Sequence, residues 1–424
     1  MKLGIRTGAS TAEIAGRVRG RLLPSQAPGL VAAVAVLAVG GCTLHAATPG
    51  KDSHAAPDGH PSLDECAVLA EDAVLDEVAQ EAVRSTGFSG SALVVKKGKV
   101  LLNRGYGRVA GTTGEPITAD TVFGLASLTK QVTAAVVLHL VDQGKLRLDD
   151  PVGKFFPQAP ADKAGITLRQ LLTHTSGLTD HAPDDFEVVS KEVALSRILD
   201  EKLEFTPGEK FGYSNSGFTL LALIVDKVTG VPYPQYVRET VIEPFQLTHT
   251  GLSSDHDHWK DSVVAHGFFA GKDMGLPPTW PGPSWGTMGN GELMTTTGDL
   301  ARWFRVIREN KFLPEPLTRE LFTPHVKVFD IDENGVVAYY GFGWGLKIGP
   351  KGTLITHGGA GEGGNTEFAY FVEQDVLIIV FSNQFWPDWW KGGTAGRIGP
   401  ARPALRLREK LWAAMNPPMG GSQK

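Results

Sequence analysis

Cysteine is nearly absent from this 424-residue chain, which holds only Cys42 and Cys66. Two thiols are too few for a disulfide framework or a four-cysteine metal site. There is no excess of positive charge either. Forty-one basic residues stand against 46 acidic ones, a formal net charge of −5, which argues against nucleic acid as the main partner. The apolar run Gly29–Val39 stops well short of the ~20 residues that a stable membrane-spanning helix takes. No internal repeat is visible. With 42% apolar, 21% charged and 8% aromatic residues, the composition excludes disorder, collagen and coiled coil as the whole answer. The length allows two or three domains, or one large one. It lets the chain bury roughly three quarters of its unfolded surface, so the core needs no disulfide or metal.

What is present begins with an address. Lys2, Arg6, Arg17, Arg19 and Arg21 face a single acid, Glu13, and the apolar run that follows ends in Gly40-Gly41-Cys42. A basic start, a short apolar stretch and small residues at the end make an export signal over 1–41. Removing it leaves 36 basic and 45 acidic residues, an acidic mature chain. Val39-Gly-Gly-Cys42 resembles the bacterial lipobox, in which the cysteine is lipidated and becomes the first mature residue; the other reading is an ordinary cleaved signal. Residues 43–62 are small, polar and rich in Pro and Gly, so 42–70 reads as a flexible tether. The expected location is the cell envelope or periplasm, with a lipid on Cys42 as the membrane contact.

A folded part is expected over 71–416. Val74, Leu75, Val78, Ala79, Ala82 and Val83 share one face of a helix over 73–84. Residues 91–95 and 100–102 flank Lys97-Gly98 as a hairpin. Residues 128–141 are apolar almost all round, which predicts a buried helix ended by Gly144. From about 151 to 280 the signals are mainly helical. Strands return around 342–347, 353–357, 366–372 and 376–382, and a last helix is expected over Leu405–Met415. Strands and a helix at each end with helices between suggest an α/β protein of the α+β type: one antiparallel sheet built from both ends of the chain, flanked by helices, with a helical insertion.

The strongest local chemistry is Ser127-Leu-Thr-Lys130 at the start of the buried helix. Residues three apart on a helix share a face. A hydroxyl becomes a useful nucleophile when a neighbour takes its proton, and an amine does so only when unprotonated. Burial disfavours the ammonium, and so does the positive end of the helix. In isolation the same four residues also fit a plain helix N-cap.

Thr121-Val-Phe-Gly-Leu-Ala-Ser-Leu-Thr-Lys-Gln131, followed by Gln143-Gly-Lys-Leu-Arg-Leu-Asp-Asp-Pro-Val152, resembles the serine β-lactamase/penicillin-binding family. The likeness is narrower with the class C β-lactamase-related branch, which includes D,D-peptidases, D-aminopeptidases and esterases. Leu171-Leu-Thr-His-Thr-Ser-Gly-Leu178 and Gly291-Glu-Leu-Met-Thr-Thr-Thr-Gly-Asp-Leu-Ala301 are similar to further stretches of that family, in order, over some 300 residues. The resemblance implies a β-lactamase/transpeptidase-like fold, an acyl-enzyme on Ser127 and Lys130 as its base. It places Tyr213 and Asn215, in Tyr213-Ser-Asn215, as proton relay and as substrate holder that also orients Lys130. His357-Gly358-Gly359 then stands where the family usually has Lys-Thr-Gly. The backbone N–H groups of Ser127 and Ala360 become the oxyanion hole, and Gly359 lets substrate approach the strand. A histidine in place of the usual lysine is largely neutral near pH 7, which weighs against efficient β-lactam hydrolysis.

Other patterns point elsewhere. Gly282-Pro-Ser-Trp-Gly286 spells a nucleophile elbow but no strand precedes it, and Gly359-Ala-Gly-Glu-Gly-Gly364 spells a phosphate loop but no helix follows. Asp255-His-Asp-His258 reads as a solvated loop, and His174 with Ser176 only imitates a dyad. Trp386, Trp389 and Trp390 either floor a cleft or pack near the chain end. No metal or organic cofactor is implied, and a monomer is expected. The substrate is an ester, a D-amino-acid peptide or amide, or a β-lactam. The alternatives are a class C-type β-lactamase or D,D-carboxypeptidase proper, and a catalytically idle penicillin-binding envelope protein.

Overall fold

The computed structural model describes residues 72–183, 187–269, 271–277, 282–330, 332, 334–361, 363–385 and 403–416. The export signal, Cys42, Cys66, the tether, and Trp386, Trp389 and Trp390 lie outside the described residues. No described helix is long and apolar enough to cross a membrane.

The frame is an eight-stranded antiparallel sheet. In spatial order its strands are Val326–Phe329, Val337–Tyr340, Gly345–Gly349, Gly352–Gly361, Gly364–Phe371, Val376–Ser382, Gly90–Lys96 and Lys99–Tyr106. The two ends of the chain therefore meet inside one sheet, with Gly90 opposite Ser382 and Lys96 opposite Val376. The first two strands form a hairpin whose loop is Lys97-Gly98, at φ of 50° and 74°. Two central residues with positive φ give the turn whose twist matches paired strands.

Strand alternation divides the core between two faces. On one face Ala92, Val94, Val376, Ile378 and Val380 pack against Leu75, Ala79 and Ala82 of the helix Ala73–Thr86, and against Leu407 and Leu411 of the helix Pro403–Met415. On the other face Leu93, Ile379, Phe381 and Phe368 join a larger core with the helices Thr129–Asp142, Asn215–Thr229 and Thr297–Arg308. Burial on both faces is why Val376–Ser382 is apolar without alternation.

Thr129–Asp142 is buried nearly all round. It is held between the sheet and Asn215–Thr229, which Ser214 caps at its N-terminus by accepting the Gly217 N–H. Two boundaries differ from the sequence expectation. The strand expected over 342–347 is instead Gly345–Gly349, and Val337–Tyr340 adds a further strand. The expected helical stretch over 151–280 also contains the short strands Gly251–Leu252, Gly267–Phe269 and Lys272–Gly275. These pair locally, Gly251–Leu252 with Leu293–Thr295 and Gly267–Phe269 with Lys272–Gly275, which no apolar period announces.

Candidate active site

Ser127 does not sit within the buried helix. It occupies the 3-10 turn Ala126–Leu128 that leads into it. The residue before it, Ala126, has φ of 47°, a left-handed conformation that non-glycine residues adopt at some cost and that gathers at functional sites. This bend turns the hydroxyl toward the helix that follows. Lys130, in the first turn of that helix, is fully buried. Its Nζ lies 3.1 Å from Ser127 Oγ, 2.5 Å from Asn215 Oδ1 and 3.0 Å from the carbonyl oxygen of Asn290. The last two oxygens can only accept, so they take N–H groups of the amine. In the unprotonated amine a lone pair is then left for the Ser127 hydroxyl proton.

The second element arrives from the loop before Asn215–Thr229. The Tyr213 ring centroid is 5.0 Å from Lys130 Nζ. Asn215 heads the helix, and its own N–H donates to Asp180 Oδ1 at 3.1 Å. Thus Ser127, Lys130, Tyr213 and Asn215, separated by up to 88 positions in the chain, come together around one amine.

The third element is the end of the strand Gly352–Gly361. Its neighbour Gly345–Gly349 stops pairing at Thr356, so His357–Gly361 run on as an edge beside the Ser127 turn. Contact there is tight. A Cβ at Gly359 would lie 2.2 Å from Leu125 O and 2.3 Å from Thr366 Oγ1, and one at Gly361 would lie 3.9 Å from the Ala126 Cβ. The glycine at 359 therefore serves the close approach of the Leu125–Ala126 backbone. Thr366 fixes the same junction by donating to Leu125 O at 3.0 Å. Ala360, between Gly359 and Gly361, is thereby held next to Ser127 in space.

His357 is neutral. Its Nδ1 lies 2.8 Å from Gly358 O, which can only accept, so Nδ1 carries the proton. Its Nε2 then accepts from the Tyr340 hydroxyl at 2.9 Å. Burial first, then the nearby Lys130 charge, push the imidazole down to about 4. Burial, and after it the neighbouring Tyr213, hold the Tyr340 hydroxyl well above its usual range, which keeps it a donor. An imidazolium at 357 meeting a substrate carboxylate near neutral pH does not fit this arrangement.

Sequence reasoning missed Asn290 and Tyr340. Asn290 acts through a backbone carbonyl, which no side-chain pattern reports; the one signal is its place directly before the Gly291–Ala301 stretch. Its side chain locks the loop by donating to Thr219 Oγ1 and Gly286 O. The other patterns do not form sites. Ser284 is buried, donating to Glu187 O and accepting the Gly286 N–H. Ser176 Oγ accepts the Leu178 N–H. Asp255 pairs with Arg238, and no group of metal-ligating side chains occurs among the described residues.

Comparison with known proteins agrees with this geometry. The Beta-lactamase family model matches residues 75–391. A penicillin-binding protein of Bacillus subtilis (strain 168) is 28% identical over 317 residues, covering 70% of this chain and 68% of that protein. Among solved structures, the octameric penicillin-binding protein homologue from Pyrococcus abyssi superposes with a TM-score of 0.68 at 25% identity, over 80% of this chain and 76% of that one. The D-amino acid amidase from Ochrobactrum anthropi SV3 shares the fold, with a TM-score of 0.66 at 21% identity over 80% of this chain and 98% of the other.

Proposed function

The chain belongs to the β-lactamase family, and from that premise we propose that it is a serine hydrolase working through an acyl-enzyme on Ser127. The observation that carries this reading is the placement of Lys130 Nζ 3.1 Å from Ser127 Oγ with acceptors at Asn215 Oδ1 and Asn290 O. Ser127 Oγ attacks the substrate carbonyl and its proton passes to Lys130. Negative charge on the carbonyl oxygen is met by the backbone N–H groups of Ser127 and Ala360; one such donor typically contributes about 3 kcal/mol. Tyr213 gives its phenol proton to the leaving amine or alcohol as the tetrahedral intermediate collapses, and takes the proton held by Lys130 in its place. Water then attacks the acyl carbon, and Ser127 leaves with its proton restored.

The neutral His357 narrows the substrate. A site without a cation at that position gains nothing from a carboxylate next to the scissile bond, which favours esters and D-amino-acid amides or peptides over β-lactams. The name of one structural neighbour, a D-amino acid amidase, is compatible with this class. The protein is proposed to act outside the cytoplasm, anchored by lipid at Cys42.

The test has two arms. A fluorescent phosphonate should label wild type at Ser127 and leave Ser127→Ala unlabelled; no label on wild type would return the idle penicillin-binding reading. Turnover of p-nitrophenyl esters, D-alanyl amides and nitrocefin should rank nitrocefin last by at least about tenfold, equivalent to roughly 1.4 kcal/mol.

A further inference from the structure

His174 is fully buried and has φ of 56°. It holds the chain on both sides of Tyr213. Its carbonyl accepts the Gly212 N–H at 2.8 Å, and its Nδ1 accepts the Ser214 N–H at 3.0 Å. Its ring lies 4.2 Å from the Tyr213 ring, centroid to centroid, at an interplanar angle of 31°. Phe218 at 5.1 Å and Tyr340 at 4.7 Å close around it.

An N–H can only donate, so Nδ1 is bare and the proton is on Nε2, which has no hydrogen-bond partner among the described residues. Phenylalanine would supply the ring alone and asparagine the acceptor alone; histidine supplies both. The groups facing it are Lys130 from the buried helix, His357 and Tyr340 from two sheet strands, and Tyr213. Burial first, then Lys130 and His357, hold His174 well below its usual range. A proton on Nδ1 would remove the acceptor for the Ser214 N–H.

We propose that His174 is a positioning residue for Tyr213, fixing the backbone at 212 and 214 and setting the angle at which the phenol meets Lys130. The inference rests on the reading of Tyr213 as proton relay. It gives the Leu171–Leu178 stretch a task at the site without making His174 a base.

A double-mutant cycle in the full chain tests it, with ester turnover and the rate of phosphonate labelling as readouts. His174→Phe should lower kcat by about 10- to 100-fold with KM within twofold, and His174→Asn, which keeps an acceptor near Nδ1, should recover much of that loss. In a Tyr213→Phe background His174→Phe should cost less than about threefold more, because a residue that acts only by positioning the Tyr213 phenol has nothing left to position once the hydroxyl is gone. An equal loss in both backgrounds, or a loss confined to KM, would make His174 merely structural and overturn the proposal. No effect of Tyr213→Phe by itself would instead overturn the relay. If His174→Phe does not fold, the same cycle is run with His174→Asn, whose smaller loss must likewise vanish when Tyr213 is Phe.

Discussion

The charge state of His357 decides what the cleft can recognise, and it is open to measurement through stability. In the folded protein the imidazole is pushed from 6.5 down to about 4; in the unfolded chain it returns to about 6.5. Between those values the unfolded chain binds a proton that the folded ring refuses. Stability must therefore fall as pH drops through that window and lose nothing further from this group below about 4. At pH 4.5 the linkage amounts to about 2.5 kcal/mol relative to alkaline pH. The ring is partly exposed, and screening trims this to about 1–2 kcal/mol. In His357→Gln the side chain can still accept from Tyr340 but cannot titrate. Urea unfolding of both proteins between pH 7.5 and 4.5 isolates the difference, because His139, His174 and His325 are common to both and cancel. The midpoint of wild type should fall more steeply by that amount at unchanged m-value. Parallel curves would show that His357 titrates normally, restore an imidazolium below about pH 6.5, and remove the argument for a substrate without a carboxylate.

Lys130→Met and Tyr213→Phe should each lower turnover by about 10²–10⁴-fold, with a combined loss well short of the product, and steady-state kinetics of the double variant checks this; full additivity would mean two independent proton paths. Gly359→Ala should impair both fold and acylation, since its Cβ would lie 2.2 Å from Leu125 O; a cost of at least about 1–3 kcal/mol is expected from such overpacking, read by thermal unfolding alongside labelling. Cys42→Ser should move the exported protein from the membrane fraction to the soluble one, because two or three acyl chains anchor firmly where one does so marginally; wild type found soluble would mean an ordinary cleaved signal.

Local chemistry was readable in the chain wherever a pattern is carried by side chains close in sequence. Ser127 and Lys130 are three residues apart, one in the turn that leads into a helix and the other in its first turn, and the all-round apolar character of that helix announces its burial. Val376–Ser382 was legible for the same reason. What escaped was the part assembled across distance. The Asn290 carbonyl that holds Lys130 belongs to the backbone, and any residue type offers it. Tyr340 reaches His357 only across the end of the strand Gly345–Gly349, which lies between their two strands and stops pairing at Gly345. Gly359 has a further reason that its motif does not state, since the atom that forbids a side chain there belongs to Leu125, 234 positions earlier. His174 with Ser176 only imitates a dyad in the sequence, while the partner its ring meets, the Ser214 N–H, is forty positions away.

The pairing of Gly90–Lys96 with Val376–Ser382 bears on how the protein is made. A ribosome adding about 5–20 residues per second completes the N-terminal hairpin at Tyr106, some 270 residues before its partner strand Val376–Ser382 begins. A two-stranded hairpin by itself is marginal in water, so through that interval the early strands have no sheet to join. The sheet stays open until Val376–Ser382, in the last eighth of the chain, is synthesised, and truncation before Val376 should yield a chain that never closes its sheet.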